Sequence, residues 1–304
     1  MKYVRNEWMK LWSKKSTWIM LILLAAVIIG YNAIDKSFEV KNNTKETWRE
    51  DVQSEIEMYQ AWLEDGDESL AGEIALLQYR LDNNIPTTSA FSDSVKFGTD
   101  MLMLVTVFAV VVAAGIVSSE FGTGTIKMLL TRPVARWKIL LSKLVTVLLF
   151  GFVLFGFALA LSSLLGLVLY GTTSSVELQF VDGAIQEISP WSAMLEHTLL
   201  SFGDFFMSII IAFLIGSLFK SSSLAVGITI VLMTMGSLIV MLLSRFDFVK
   251  YIWLTHTDLT QHAAGGQPFV EGTTLGFSIV VLVVYAIIFL AITFITFQKR
   301  DVTA

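Results

Sequence analysis

An all-α integral membrane protein with six transmembrane helices is the fold class this sequence predicts. Three observations carry it. The 304 residues are 55% hydrophobic and only 15% charged, outside the range of soluble globular domains. Uncharged apolar runs recur: Met101 to Val117 is 17 residues long and Leu144 to Tyr170 is 27, lengths that suit a bilayer core. The charges also segregate. Segments 1–17, 118–143, 220–223 and 298–304 hold 13 Lys and Arg against three Asp and Glu, and the rest of the chain holds eight against 23. Short basic segments stay on the cytoplasmic side, so both termini are expected there.

Residues 1–16 predict an amphipathic elbow helix lying on the cytoplasmic leaflet. Val4, Trp8, Leu11 and Trp12 recur at helical spacing, and Lys2, Arg5, Lys10, Lys14 and Lys15 take other positions. Arg5, Trp8, Trp12, Lys14 and Lys15 are the expected membrane-interface residues, with the tryptophans at headgroup depth. The apolar run that follows lacks a small-x-small cleavage site, so it reads as a retained first span (17–35) rather than a signal peptide.

Residues 36–96 change character, with 13 acidic residues against six basic. Thr47-Trp-Arg-Glu50 reads as a capping box. Trp48, Val52, Ile56, Tyr59 and Trp62 or Leu63 form one helical stripe, and Leu70, Ile74, Leu77 and Leu81 form a second. Glu64-Asp-Gly-Asp67 turns between them, so an extracellular helical hairpin is expected. Its stripe reads as its own core, and its acidic exterior as a solvated face.

Residues 97–304 hold the remaining five spans. Gly151, Gly156 and Gly166 in the third suggest close helix contacts. Residues 171–196 carry Glu177, Asp182, Glu187 and Glu196 without Lys or Arg, which predicts an outside loop. Ile188-Ser-Pro-Trp191 predicts a short interfacial helix ahead of a fourth span from Leu199 to Phe219. Asp204 falls inside that span, one or two turns from its outer end. A charge there costs roughly 2.5–3.5 kcal/mol on insertion scales, which makes Asp204 a candidate for translocation; a structural or interfacial role weighs more at that depth. The fifth and sixth spans are Leu224–Leu243 and Gly276–Phe297. Between them His256 and His262 are spaced as no standard helical metal pair, and no metal site is expected.

The most informative stretch is the island 119–143. Lys127, Arg132, Arg136, Lys138 and Lys143 face the single anion Glu120 between two apolar runs. Gly122 and Gly124 allow a turn, Thr123 or Thr125 can cap a short helix over 126–130, and Pro133 blocks its continuation. A new helix starts at Ala135. This order predicts a built cytoplasmic loop that passes force from a soluble partner to the second and third spans.

Glu120-Phe-Gly-Thr-Gly-Thr-Ile-Lys127, then Leu130-Thr-Arg-Pro-Val-Ala-Arg-Trp-Lys138 and Lys143, resembles the signature loop of ABC type-2 exporter permeases. These are six-span subunits of bacterial ATP-driven transporters. In layout the resemblance covers nearly the whole chain; in specific residues it covers this loop alone. It implies a coupling helix over Gly122 to Leu130 seated in a cytosolic ABC ATPase, with Glu120 at the membrane–cytosol joint. It further implies pairing with a second permease, identical or related, in the bacterial cell membrane. ATP and Mg would sit on the ATPase, with no cofactor on this chain. The insertion after the first span departs from the shortest such permeases, so a substrate does not carry over.

The absences sharpen this. No G-x-x-x-x-G-K-[ST] occurs, so the chain is expected to bind no ATP by a P-loop and to be no enzyme itself. There is no cysteine, which excludes disulfides and thiolate metal sites. No basic cluster points to nucleic acid. Two other classes remain: an ion-coupled secondary transporter built on Asp204, and a membrane receptor or assembly protein with the acidic hairpin as its sensor.

Overall fold

The computed structural model describes residues 2–41, 47–64, 70–87, 89–122, 135–181, 184–219, 221–263, 268, 270 and 272–299. Ten α-helices are present among them. They are α1 (Lys2–Trp12), α2 (Lys15–Lys41), α3 (Thr47–Glu64), α4 (Ala71–Asp82), α5 (Phe91–Asp100), α6 (Leu102–Gly122), α7 (Arg136–Tyr170), α8 (Pro190–Leu218), α9 (Ser222–Leu243) and α10 (Leu275–Lys299). A small antiparallel hairpin, β1 (Glu177–Val181) with β2 (Ala184–Ile188), joins α7 to α8. Three 3-10 turns, Asp247–Tyr251, Trp253–His256 and Leu259–His262, follow α9.

Six stretches are long and apolar enough to cross a bilayer: Lys15–Phe38, Phe91–Glu120, Arg136–Tyr170, Pro190–Leu218, Ser222–Leu243 and Leu275–Lys299. The molecule is an all-α, multi-pass integral membrane protein. Its spans are unequal. The second, third and fourth bury 61%, 44% and 50% of their apolar windows, and the first, fifth and sixth bury 22%, 17% and 17%. Three helices therefore form the core, and three present apolar side chains such as Ile22, Met241 and Ile287 outward.

The core helices approach closely where side chains are small. A Cβ at Gly151 would lie 2.5 Å from the Phe205 ring, and one at Gly216 would run into the backbone of Ala114. Ser94 donates to Asn32 Oδ1 (2.6 Å) and to the Ser162 carbonyl (2.8 Å), tying the first, second and third spans through a buried polar layer. Of the three glycines expected at contacts, Gly151 and Gly166 are at them, and Gly156 has open space in front of it.

Several boundaries depart from expectation. The second span begins at Phe91, not after residue 96. Asp93 belongs to its first turn and accepts from the Ala90 N–H at 2.9 Å, and Lys96 pairs with Glu177 at 2.6 Å. Charges satisfied in this way do not end a helix. Residues 171–196 contain the unforeseen β hairpin. The separate interfacial helix at Ile188–Trp191 does not exist: Pro190 opens α8, which runs unbroken to Leu218. Proline suits a first helical turn because that N–H lacks an intrahelical partner anyway.

Between the first and second spans, α3 and α4 pack through Val52, Ile56 and Ile74. Trp48, Tyr59, Leu63, Leu77 and Leu81 close around them. Leu63 takes the core position and Trp62 is half exposed. Arg49 reaches Asn84 Oδ1 at 2.6 Å, and Arg80 donates to the Val176 carbonyl, so the pair leans on the strand that follows α7.

Candidate functional site

The two ends of the bundle hold different electrostatic arrangements. At the end where α6 stops and α7 starts, four charges from three helices meet. Glu120 is in the last turns of α6, Lys143 is two turns into α7, and Glu7 and Lys10 lie one turn apart on α1. Lys143 Nζ donates to Glu120 Oε1 at 2.7 Å and to Glu7 Oε2 at 2.8 Å. Lys10 Nζ reaches the same Glu120 Oε1 at 2.7 Å. Lys143 is fully buried and Glu120 is 2% exposed. Glu120 Oε2 is buried as well and has no hydrogen-bond partner among the described residues.

Each element reaches this point for a local reason. Ser13 and Lys14 break the chain between α1 and α2, and Thr17 fixes the bend by donating to the Leu11 carbonyl at 2.7 Å. Trp12 then packs edge-on against Phe150 of α7, with Trp8 and Trp18 on either side of it. The tryptophans thus anchor α1 on the bundle, where headgroup contact alone had been expected. With α1 held there, Glu7 and Lys10 fall on Lys143 and Glu120. Burial would lower the Lys10 pKa, but the bond to Glu120 and the fields of Glu120 and Glu7 outweigh it, and the ammonium is held above its usual range. The neighbouring Lys14 is lowered by burial and by the charges of Lys10 and Lys143.

Two further contacts gather helix ends here. Ser118 of α6 bonds Ser222 of α9 at 3.0 Å, and Arg136 Nη1 donates to the Gln298 carbonyl of α10 at 3.0 Å. The roots of the 123–134 connection are therefore joined to α1, α9 and α10. Removing one partner of a buried pair of this type costs about 3–5 kcal/mol, because the other charge is left desolvated.

Among the residues expected to form a coupling loop, Glu120 and Lys143 bond directly and Arg136 anchors one root. Gly122 ends α6. Thr123, Gly124, Thr125, Lys127, Arg132 and Pro133 lie outside the described residues. Of the expected interface residues, Arg5 and Lys15 are exposed, and Trp8 and Trp12 are half buried. Glu7 and Lys10 were not singled out from sequence. Their i, i+3 spacing marks a pair on one helix face, but nothing local shows that the face meets Glu120, 110 residues away from Lys10.

The opposite end holds Asp204. It is the midpoint of α8, 14 residues from Pro190, or roughly 21 Å along the axis. The helix starts at Pro190, ahead of the start near Leu199 expected for the fourth span. Asp204 Oδ1 accepts from Ser208 at 3.1 Å, and the carboxylate lines two adjoining cavities. Nearby, the His256 Nε2–H donates to the Lys250 carbonyl at 2.8 Å, so Nδ1 is left to accept from the Ser278 hydroxyl, also at 2.8 Å. Ser278 Oγ in turn accepts from His262 Nε2 at 2.9 Å. The two histidines thus fasten the turns to the start of α10. No group of three or more metal-ligating side chains occurs among the described residues.

A multi-pass helical membrane protein with an ion cluster at one end and an acidic cavity at the other is the class these features define. The chain belongs to a family described as "Protein of unknown function (DUF2705)", whose profile matches residues 76–303. It is 34% identical over 309 residues to the uncharacterized protein YhcI of Bacillus subtilis (strain 168), covering 98% of each chain. It is also 32% identical over 235 residues to the uncharacterized membrane protein YdbK of the same organism, covering 75% of this chain and 90% of the relative. These matches correct the resemblance read from the 120–143 loop. The family is DUF2705 and not the ABC type-2 exporter permeases, so that loop is not a family signature here.

Proposed function

We propose that this chain is the transmembrane subunit of an ATP-driven exporter whose hydrolysing subunit is a separate, soluble chain docking on residues 119–143. One observation supports it above the others. The two roots of that connection are joined by the buried Glu120–Lys143 pair, and the same two side chains grip α1. A push on the connection would be passed as a rigid displacement to α6 and α7, because their ends cannot separate without exposing an unpaired buried charge.

In this reading α1 lies along the cytoplasmic face, both termini are cytoplasmic, and the α3–α4 pair and the β hairpin stand outside the cell membrane. The 13-to-three excess of basic over acidic residues in the short segments at the α1 end favours this orientation. ATP and Mg belong to the partner. A second copy or a related chain would cover the sparsely buried fifth and sixth spans. A second reading, ion-coupled transport without an ATPase, draws on Asp204 at the centre of α8.

The test is purification in mild detergent through a C-terminal tag, followed by identification of the bound chains. The proposal expects a soluble P-loop ATPase that is lost when Gly124 and Arg132 are substituted. A stable oligomer without any ATPase would refute it and favour the ion-coupled reading.

A further inference from the structure

We propose that the cavity at the Asp204 end is a binding site for an amphipathic organic cation. The cavity holds about 760 Å³, within the range of small-molecule sites. It lies between α5, the start of α6, β1, the first half of α8 and the 3-10 turn that begins at Leu259. Asp100, Glu177, Glu196, Asp204 and Asp258 all line it. Lys96 lines it too, but its ammonium is taken by Glu177 at 2.6 Å. Among the described residues no lysine or arginine pairs with the other four carboxylates. With Lys96 paired and His197 the other basic side chain in the lining, the carboxylates outnumber the basic groups, and the cavity has a net negative field that concentrates cations.

The shape of the site selects among cations. No three carboxylates or histidines among the described residues are close enough to chelate a metal ion. The charge is spread along a wall, which suits a ligand whose own charge is diffuse. Asp204 and Asp258 also line a second chamber of about 210 Å³, where Ile211, Leu232, Met233 and Val240 alternate with the hydroxyl side chains of Ser208, Thr229, Ser237, Thr255 and Thr257. Trp253 forms part of the lining of this chamber, an aromatic side chain of the kind that attracts cations. An acidic cavity beside a chamber that mixes apolar side chains, hydroxyls and Trp253 is complementary to a cation carrying an amphipathic body. Asp204 bonds Ser208 and has no lysine or arginine partner among the described residues, and the ligand would supply its counter-charge.

This inference names a substrate class for the exporter reading and rests on that reading only for calling the ligand cargo. Binding can be measured without any partner. The test is equilibrium binding of tetraphenylphosphonium to the purified full chain in nanodiscs of neutral lipid, with empty nanodiscs as the blank. Saturable binding is expected. Asp204→Asn and Asp258→Asn should each weaken it by roughly tenfold, since one nearby charge is lost while the side-chain volume and hydrogen bonds are kept. Glu57→Gln, on the exposed face of α3, should leave it unchanged. Neutral triphenylphosphine oxide should not compete. Uptake equal to that of empty nanodiscs, equal competition by the neutral compound, or unaltered affinity in both aspartate variants would each overturn the proposal. Loss of the ATPase from the purified complex would not bear on it.

Discussion

The two ends of the bundle use the same residue types to opposite effect. At the α1 end, Lys143 bonds Glu120 and Glu7, Lys10 bonds Glu120, all at 2.7 to 2.8 Å, and the four charges cancel. At the other end, Asp100, Glu196, Asp204 and Asp258 line open space without a lysine or arginine partner among the described residues. A buried charge that has its counter-ion fixes the arrangement of helices. A charge that faces a cavity without one creates demand for a ligand. Paired charges therefore mark where this molecule is held, and unpaired ones mark where it receives something.

Substitutions can break that contrast, beginning with the largest effect. Lys143→Met should destabilise the protein by about 3–5 kcal/mol, because among the described residues Glu120 keeps only the half-exposed Lys10 and Glu7 loses its ion-pair partner. Thermal unfolding in nanodiscs would measure it. Gly151→Leu should cost less, about 1–3 kcal/mol, since the new side chain has to displace the Phe205 ring. Lys10→Ala should cost at most about 1 kcal/mol, because half of that side chain is in water. Asp204→Asn, at the unpaired end, should leave stability unchanged or raise it. If Asp204→Asn proved as damaging as Lys143→Met, the contrast between the two ends would fail.

The pH response should also separate the ends. Burial lowers the pKa of His256 and His262 from the ordinary 6.5, and for His262 the charge of His256 adds to this. Below pH 6.5 the unfolded chain then binds more protons than the native one, so stability falls as pH falls. Amide exchange in residues 247–262 should accelerate over that range. Ser278→Ala removes the hydroxyl shared by both imidazoles and should accelerate it already at neutral pH. Protection at the Glu120–Lys143 end should stay level as these histidines titrate.

The sequence made the membrane architecture legible because apolar runs of bilayer length have no other stable use. It made the 119–143 roots legible because charges crowd where such runs end. It did not show that Glu7 and Lys10 complete the cluster, since that depends on how Trp12 seats α1 against Phe150. The β hairpin had a local signal in Asp182-Gly183 between two short alternating runs, which the acidic character of the segment obscured. The length of α8 was missed because Pro190 was read as starting a short helix separate from the fourth span, when it opens one that runs through that span. Asp258 joins Asp204 only through the packing of the 3-10 turns on α8, which no spacing in the chain encodes.

The central claim is that the ion cluster couples the 119–143 connection to the helices. The most direct test is the paired variant Glu120→Met with Lys143→Met, assayed with the co-purified ATPase in nanodiscs. Replacing both members of the buried pair by apolar side chains leaves Glu7 and Lys10, one turn apart on α1, to pair with each other, and should keep stability within about 2 kcal/mol of the parent. The account predicts that this folded variant still binds the ATPase but no longer raises its hydrolysis rate when substrate is added. Full stimulation in the folded variant would contradict it.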